Sequence, residues 1–438
     1  MQKYAEYCVS QAEWLSVLPS HWECKKIGSL FTERKVKVSD KDYAPLSVTK
    51  MGILPQLEHA AKTNDGDNRK LVCAGDFVIN SRSDRKGSCG VSDLDGSVSL
   101  INLVLTPRGQ WNHRYVHYLL RSQPFSEEYY RNGRGIVADL WTTRYSEMKS
   151  ILLPIPARDE QDQIVRFLDW KVSSINKLMN IKRKEIAELN ESLNTKLRDV
   201  LLSVPNVKEV PLKRICSVPM TDGPHETPTF VDSGIPFVSA EASHDGRIHL
   251  DECRGFITRE QHEVYCQKVR PHKNDIFIVK SGSTTGKTVM VDFDEEFSIW
   301  SPLALVRCNN LAIPRYVFFY CTSVMFQKQV RDNWSFGTQP NIGMGVLENL
   351  RLPLPEIEEQ RAIVDTLDAY WSKVLQVKCN LKKQIEELQS LKTRIIADAV
   401  TGKIDVRGIE IPEYEFVDEV VDADAEGDDE EETERQED

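Results

Sequence analysis

The segment Ser281-Gly282-Ser283-Thr284-Thr285-Gly286-Lys287-Thr288 has the residue types of a phosphate-binding loop but not its spacing. A P-loop sets four residues between its glycines, so that successive backbone amides wrap a phosphate. Here only Ser283, Thr284 and Thr285 separate Gly282 from Gly286. The equivalent stretch of the first half, 200 residues earlier, Ser81-Arg82-Ser83-Asp84-Arg85-Lys86-Gly87-Ser88, also follows a strand-forming run and has no P-loop character. The two share a polar, basic loop after a strand, which suits phosphate or groove contacts rather than nucleotide hydrolysis. Other reactive constellations are missing. No Asn/Asp-Pro-Pro-aromatic tetrapeptide is present to hold a flipped adenine, and Gly343-Met344-Gly345 is too short for a cofactor loop. The nine histidines show no H-E-x-x-H or other metal spacing, and the ten cysteines contain no C-x-x-C pair, so neither a metal site nor a disulfide framework is expected. Catalysis is not expected in this chain.

Two copies of one plan must position those loops. Gly75-Asp76-Phe77-Val78-Ile79 recurs as Asn274-Asp275-Ile276-Phe277-Ile278, and Pro154-Ile155-Pro156 with Glu160-Gln161 recurs as Pro353-Leu354-Pro355 with Glu359-Gln360. Ile164-Val165 and Leu168-Asp169 recur as Ile363-Val364 and Leu367-Asp368, all at an offset of 199 residues. Arg114-Tyr115-Val116 returns as Arg315-Tyr316-Val317 at an offset of 201. One offset held over so many positions means a tandem duplication, with a period far too long for a solenoid. Each copy begins with a mixed region of short β-branched runs, Phe77–Ile79 and Ser97–Leu105 in the first, Ile276–Lys280 and Leu303–Val306 in the second. Amphipathic helical stretches follow at Tyr115–Tyr130 and Tyr316–Val330.

Each copy ends in a long helix. No proline occurs between Pro156 and Pro205 or between Pro355 and Pro412, and Gly402 is a natural stop. Apolar residues alternate at three and four spacing through Leu168, Val172, Ile175, Met179, Ile186, Leu189 and Leu193. The second series is Leu367, Val374, Leu381, Ile385, Leu388 and Ile395. This predicts two helices of about 46 residues, roughly 69 Å at 1.5 Å per residue, packed on each other as a coiled coil. The fold expected is α+β: two tandem α/β domains at 1–157 and 205–355, with antiparallel spacer helices at 158–204 and 356–403 and a pseudo-two-fold arrangement. Such an object suits gripping two separated points on a repeating polymer.

The net charge of −11 looks wrong for a nucleic-acid binder. However, Glu413–Asp438 holds fifteen acids and one base, leaving 55 Lys+Arg against 52 Asp+Glu, or +3, in residues 1–412. A mildly basic body can still carry a basic groove. The stretch 404–438 reads as an acidic, disordered tail, either solvating or competing with DNA for the basic face. The start, MQKYAEYCVSQAEW, lacks a signal-peptide layout and no apolar run approaches about 18 residues, so a cytoplasmic protein without membrane association is expected.

Over 1–403 the residues resemble type I restriction–modification specificity subunits. The marks are Asp222-Gly223-Pro224-His225-Glu226-Thr227-Pro228, then Gly234-Ile235-Pro236-Phe237-Val238, the Asp275–Thr288 strand and loop, Gly337-Thr338-Gln339-Pro340-Asn341-Ile342, and the twice-repeated Pro-x-Pro…Glu-Gln…Ile-Val…Leu-Asp junction. In the first copy, Pro45–Thr49, Gly75–Asn80 and Gly87–Val91 are similar to another branch of the same domain family. The resemblance implies two target recognition domains, each reading half of a bipartite, asymmetric sequence in double-stranded DNA. It implies helices that dock two modification subunits, which use S-adenosylmethionine to methylate adenine, and restriction subunits, which use ATP and Mg to translocate and cleave. The chain itself would hold no cofactor. Candidate DNA-contacting residues are Thr49, Lys50, Arg69, Lys70, Arg82, Arg85 and Lys86 in the first domain. In the second they are His225, Thr227, Arg247, Lys280, Thr284, Lys287, Gln339 and Asn341. Arg and Lys suit guanine edges and phosphates, Asn and Gln suit adenine. The alternative is a coiled-coil scaffold whose globular ends bind proteins.

Overall fold

A computed structural model of the chain describes residues 2–56, 66–109, 111–135, 141–336 and 339–420. They form two compact units, residues 1–182 with 383–438, and residues 183–382. No helix among the described residues is long and apolar enough to cross a membrane.

The first unit is built on a four-stranded antiparallel sheet of β1 (Phe31–Glu33), β2 (Phe77–Asn80), β3 (Cys89–Val91) and β4 (Asn102–Pro107), in the order β3-β2-β4-β1. All four residues of β2 are buried, as a central strand covered on both faces requires. Helices α1 (His113–Arg121) and α2 (Gln123–Arg131) cover one face, with the break at Ser122, whose hydroxyl bonds back to Leu119 O at 2.7 Å. The single helical stretch expected at Tyr115–Tyr130 is thus two helices, because Ser122 takes an extended backbone (φ −63°, ψ 145°) and Pro124 starts a new first turn. After a short helix α3 (Tyr145–Met148) and a strand at Leu152–Ile155, the chain enters the 44-residue helix α4 (Arg158–Leu201).

The second unit repeats this plan. Strands β5 (Thr221–Asp222), β6 (Ile276–Val279), β7 (Thr288–Met290) and β8 (Leu303–Val306) make an antiparallel sheet in the order β5-β8-β6-β7. Helices α5 (Pro314–Thr322) and α6 (Val324–Asn333) break at Ser323, α7 is Met344–Leu347, and the 44-residue α8 is Ile357–Val400. The stretch expected as one helix over Tyr316–Val330 is broken as in the first unit, Ser323 being extended (φ −67°, ψ 152°).

Several repeated residues prove to be fixings. The repeated aspartate caps a turn and anchors an arginine. Asp76 accepts from the Cys73 amide at 2.9 Å and from Arg34 at 2.7 and 3.0 Å; Asp275 accepts from the His272 amide at 2.7 Å and from Arg307 at 2.6 and 2.7 Å. The residue before it is left-handed in both, Gly75 at φ +91° and Asn274 at φ +70°, a conformation that glycine and asparagine tolerate. At the junction, Gln161 Nε2 donates to Pro156 O at 3.0 Å while its Oε1 accepts from the Asn112 amide at 3.2 Å. Gln360 does the same with Pro355 O at 2.9 Å and the Ile313 amide at 2.8 Å. Tyr115 and Tyr316 hydroxyls donate to Pro154 O and Pro353 O, and Arg114–Asp169 and Arg315–Asp368 pair at 2.7 and 2.6 Å. These bonds lock the root of each long helix to its globular part.

The helices run antiparallel. In the first unit Asn176 meets Lys392 and Lys182 meets Gln384, so position rises on α4 as it falls on α8. Met179, Ile175, Leu168 and Ile164 share a core there with Ile395, Ala399 and Val400. In the second unit Leu193, Leu197 and Leu201 share a core with Ile363, Leu367, Trp371 and Val374. Helix α8 stops as expected at Gly402 (φ +74°), where an added Cβ would lie 2.5 Å from the Pro19 ring.

One expectation is corrected. Residues 404–420, assigned above to a disordered tail, lie along α4 in the first unit. Gln163 donates to Val406 O and Ile409 O at 3.0 and 2.9 Å, Ser173 to Glu415 O at 2.9 Å, and Asn176 to Val417 O at 3.1 Å. Ile404 and Val406 are buried, and Phe416 sits under the Arg114 guanidinium at 5.5 Å. The average acidity of the stretch hid its apolar residues Ile404, Val406, Ile409, Ile411, Tyr414 and Phe416. The rest of that tail, 421–438, lies outside the described residues.

Candidate nucleic-acid interface

In the second unit the structure brings most candidates to one surface. The loop after β6 is tied to the segment after α6: Gly282 N and Thr285 Oγ1 donate to Pro340 O at 3.1 and 3.0 Å, and Ile342 N donates to Lys280 O at 2.8 Å. Lys280, Thr284, Lys287, Gln339 and Asn341 therefore share one polar edge. Gln339 and Asn341 are exposed there, and Lys280 and Lys287 half-buried. Gly337 and Thr338, part of the same sequence mark, lie outside the described residues. The loop is no phosphate cradle of the P-loop kind, because Lys287-Thr288 lead into the strand β7 and not into a helix.

Asp222 organises this edge. It accepts from Lys268 at 2.6 Å and lies 3.0 Å from Lys280 and 3.3 Å from His225 Nε2. Burial pushes its carboxyl up, but hydrogen bonds from Lys268 and Lys280 outweigh that and hold it below the usual range. His225 and Thr227 are exposed on the adjoining loop. Lys268 escaped sequence reading, since it belongs to no quoted mark; its other bond is to Gly223 O at 2.8 Å. Arg247 stands apart, on the hairpin Ser243–His244/Arg247–Ile248, paired with Asp292 at 3.1 Å.

That hairpin carries a group of possible metal ligands, His244, His249 and Glu252, with a second group at His262, Glu263 and Glu296. The His244 and His249 rings stack at 3.9 Å with planes 10° apart, so their nitrogen lone pairs run parallel instead of converging on one ion. His244 Nε2 faces Glu252 at 2.8 Å, an ion-pair geometry. His262 Nδ1 is taken up by Ser298 Oγ at 2.9 Å.

In the first unit one candidate is corrected. Arg69 is 4% exposed; its Nε donates to Ser97 Oγ at 2.8 Å and a terminal nitrogen to Ser97 O at 2.9 Å, clamping two strands. Residue type alone cannot distinguish such a strut from a reader. Thr49 closes its own hairpin turn, donating to Gly52 O at 3.1 Å and accepting from Met51 N at 3.0 Å. Lys50 is exposed in that turn, where its carbonyl accepts from Arg121. Arg85 gives its carbonyl to the Tyr130 hydroxyl at 3.2 Å, while Lys86 is exposed. Lys70 and Arg82 do come together. Both line an open cleft of about 610 Å³, whose walls also carry Lys35, Arg144 and Lys149. Those three were missed, being scattered singly along the sequence. Lys70 Nζ donates to Asn102 O at 2.6 Å, and burial pulls its pKa below the usual lysine value.

Comparison with known proteins follows the same lines. Residues 206–387 match the type I restriction modification DNA specificity domain. The type I restriction enzyme MjaVIII specificity subunit of Methanocaldococcus jannaschii is 24% identical over 278 residues, 60% of this chain and 64% of that protein. The putative MjaX specificity subunit of the same organism is 22% identical, over 60% of this chain and 61% of its own. The matches thus span just under two thirds of these relatives. A solved structure, described under complex assembly and conformational transition of the type I R-M system, covers 88% of this chain and 99% of its own at a TM-score of 0.57 and 17% identity, which shows the shared fold.

Proposed function

This chain is a relative of the type I restriction–modification specificity subunits, and from that premise we propose that it reads a bipartite, asymmetric sequence in double-stranded DNA for such a complex. Each unit reads one half of the target. The second unit does so with Lys280, Thr284, Lys287, Gln339 and Asn341, and the first with the Arg82–Lys86 loop and its neighbours. The helices α4 and α8 dock two modification subunits, and restriction subunits join them. Adenine methylation with S-adenosylmethionine, and ATP- and Mg-dependent translocation and cleavage, belong to those partners, and this chain has no catalytic role. The observation that carries the reading is one scaffold built twice with matching fixings, bearing two different polar edges. Two different readers on one frame are what an asymmetric split target requires.

The test is an electrophoretic shift with the chain co-expressed with its modification partner, followed by sequencing of the methylated adenines. Retarded duplex and one split methylated motif are the expected outcome. A complex that assembles yet binds and methylates no DNA would contradict it. Lys287→Ala should leave ATP turnover of the full complex proportional to its remaining DNA binding; normal binding with lost ATPase would mean that the loop serves hydrolysis.

A further inference from the structure

The first unit carries an open cleft rich in cations. Five cations line it (Lys35, Lys70, Arg82, Arg144 and Lys149) against one carboxylate, Glu33. Glu33 engages only Lys35, at 3.1 Å, and Lys70, at 3.9 Å. No carboxylate of the described residues pairs with Arg82, Arg144 or Lys149, and all three are exposed. The floor is different in kind: Leu100, Ile101 and Leu103 are apolar. Tyr145 stands in the wall with its hydroxyl fixed on Phe31 O at 2.9 Å. Three exposed cations with no carboxylate partner among the described residues, beside a partly apolar floor, fit a ligand with alternating anionic and apolar surface, which describes a sugar–phosphate chain better than a free inorganic anion.

The repeat shows what the second unit has instead. Strands β2 and β6, and helices α3 and α7, are related by the same 199-residue offset. At that offset Ser281 stands for Arg82, Gly343 for Arg144 and Glu348 for Lys149, turning three positive charges into one negative. Two of the cations on the second unit's edge, Lys268 and Lys280, are engaged by Asp222.

We propose that the cleft bounded by Lys35, Arg82, Arg144 and Lys149 is a seat for the DNA backbone, so that the first unit carries more of the sequence-independent grip than the second. This rests on the DNA-reading function above. Backbone contacts release counterions, and each lost phosphate contact should flatten the slope of log K against log salt by about 0.9.

The experiment measures binding of the complex with its modification partner across a salt series, on a target duplex and on an unrelated one. Arg144→Gln with Lys149→Gln should flatten the slope by about two on both duplexes while leaving the methylated sequence unchanged. The reciprocal variant, Gly343→Arg with Glu348→Lys, should steepen it; a side chain at Gly343 meets nothing within 4 Å, so this change is tolerated sterically. Unchanged slopes in both variants, with the unaltered complex binding normally, would overturn the seat alone. Failure of the unaltered complex to bind either duplex would overturn it together with the DNA-reading function.

Discussion

The two units differ where they face outward and agree where they hold themselves together. Asp76 and Asp275, Gln161 and Gln360, and the Ser122 and Ser323 breaks are the same devices in the same places, although the arginine that each aspartate holds comes from a different strand, Arg34 after β1 and Arg307 after β8. By contrast, the first unit presents an open basic cleft, and the second an edge of amides, hydroxyls and lysines gathered round Asp222. The duplicated fixings make a frame, and the unshared residues make two different surfaces on it.

The largest effect should come from the shared ion pairs. The Asp76 and Asp275 side chains are 3% and 2% exposed, so Asp76→Ala or Asp275→Ala leaves an arginine without its buried partner. Each should cost about 3 kcal/mol, of similar size in both units, read as loss of hydrogen-exchange protection in β2 or β6. A cost confined to one unit would mean that the frame is not shared.

Next comes the segment that only the first unit possesses. Ending the chain at Lys403 removes the bonds from Gln163, Ser173 and Asn176 to residues 406–417 and uncovers the α4 surface beneath them. The first unit should melt several degrees lower, while a chain ending at Val420 keeps these bonds and melts unchanged. Equal melting of the two truncations would remove the structural role of 404–420.

A smaller, pH-dependent difference should follow from His117, whose counterpart at the 201-residue offset is Phe318. Burial, with Arg121 and Arg114 nearby, pulls the His117 pKa down to about 3. The unfolded chain takes up a proton below about 6.5 and the folded one does not. Stability is therefore full above that value and falls as pH drops toward 3. His117→Phe should flatten this acid slope in the first unit, followed by denaturant unfolding at pH 7 and 5. An unaltered slope would place the sensitivity elsewhere.

The frame was legible in the sequence because most of its fixings recur at offsets of 199 or 201 and the helical seam repeats every three or four residues. The sites were legible only in part. Lys280, Gln339 and Asn341 lie far apart in sequence but belong to recognisable marks, and the structure joins them through Ile342 N and Lys280 O. Arg69 carried the right chemistry and the wrong burial, which residue type does not encode. Lys35, Arg144 and Lys149 had no motif to announce them, since the cleft exists only once β4, α3 and the end of β2 are assembled. The 404–420 segment was hidden by its charge, because composition averages over the apolar residues that dock it.

The central claim, two independent readers on one repeated frame, is tested most directly by mapping methylated adenines in cells whose only source of the subunit is a variant chain. The variant is Lys287→Ala with Gln339→Ala and Asn341→Ala, all in the second unit. One half of the split motif should be relaxed or altered in sequence, with the other half and the gap unchanged. Coordinated change in both halves, or an unchanged motif at full methylation, would contradict it.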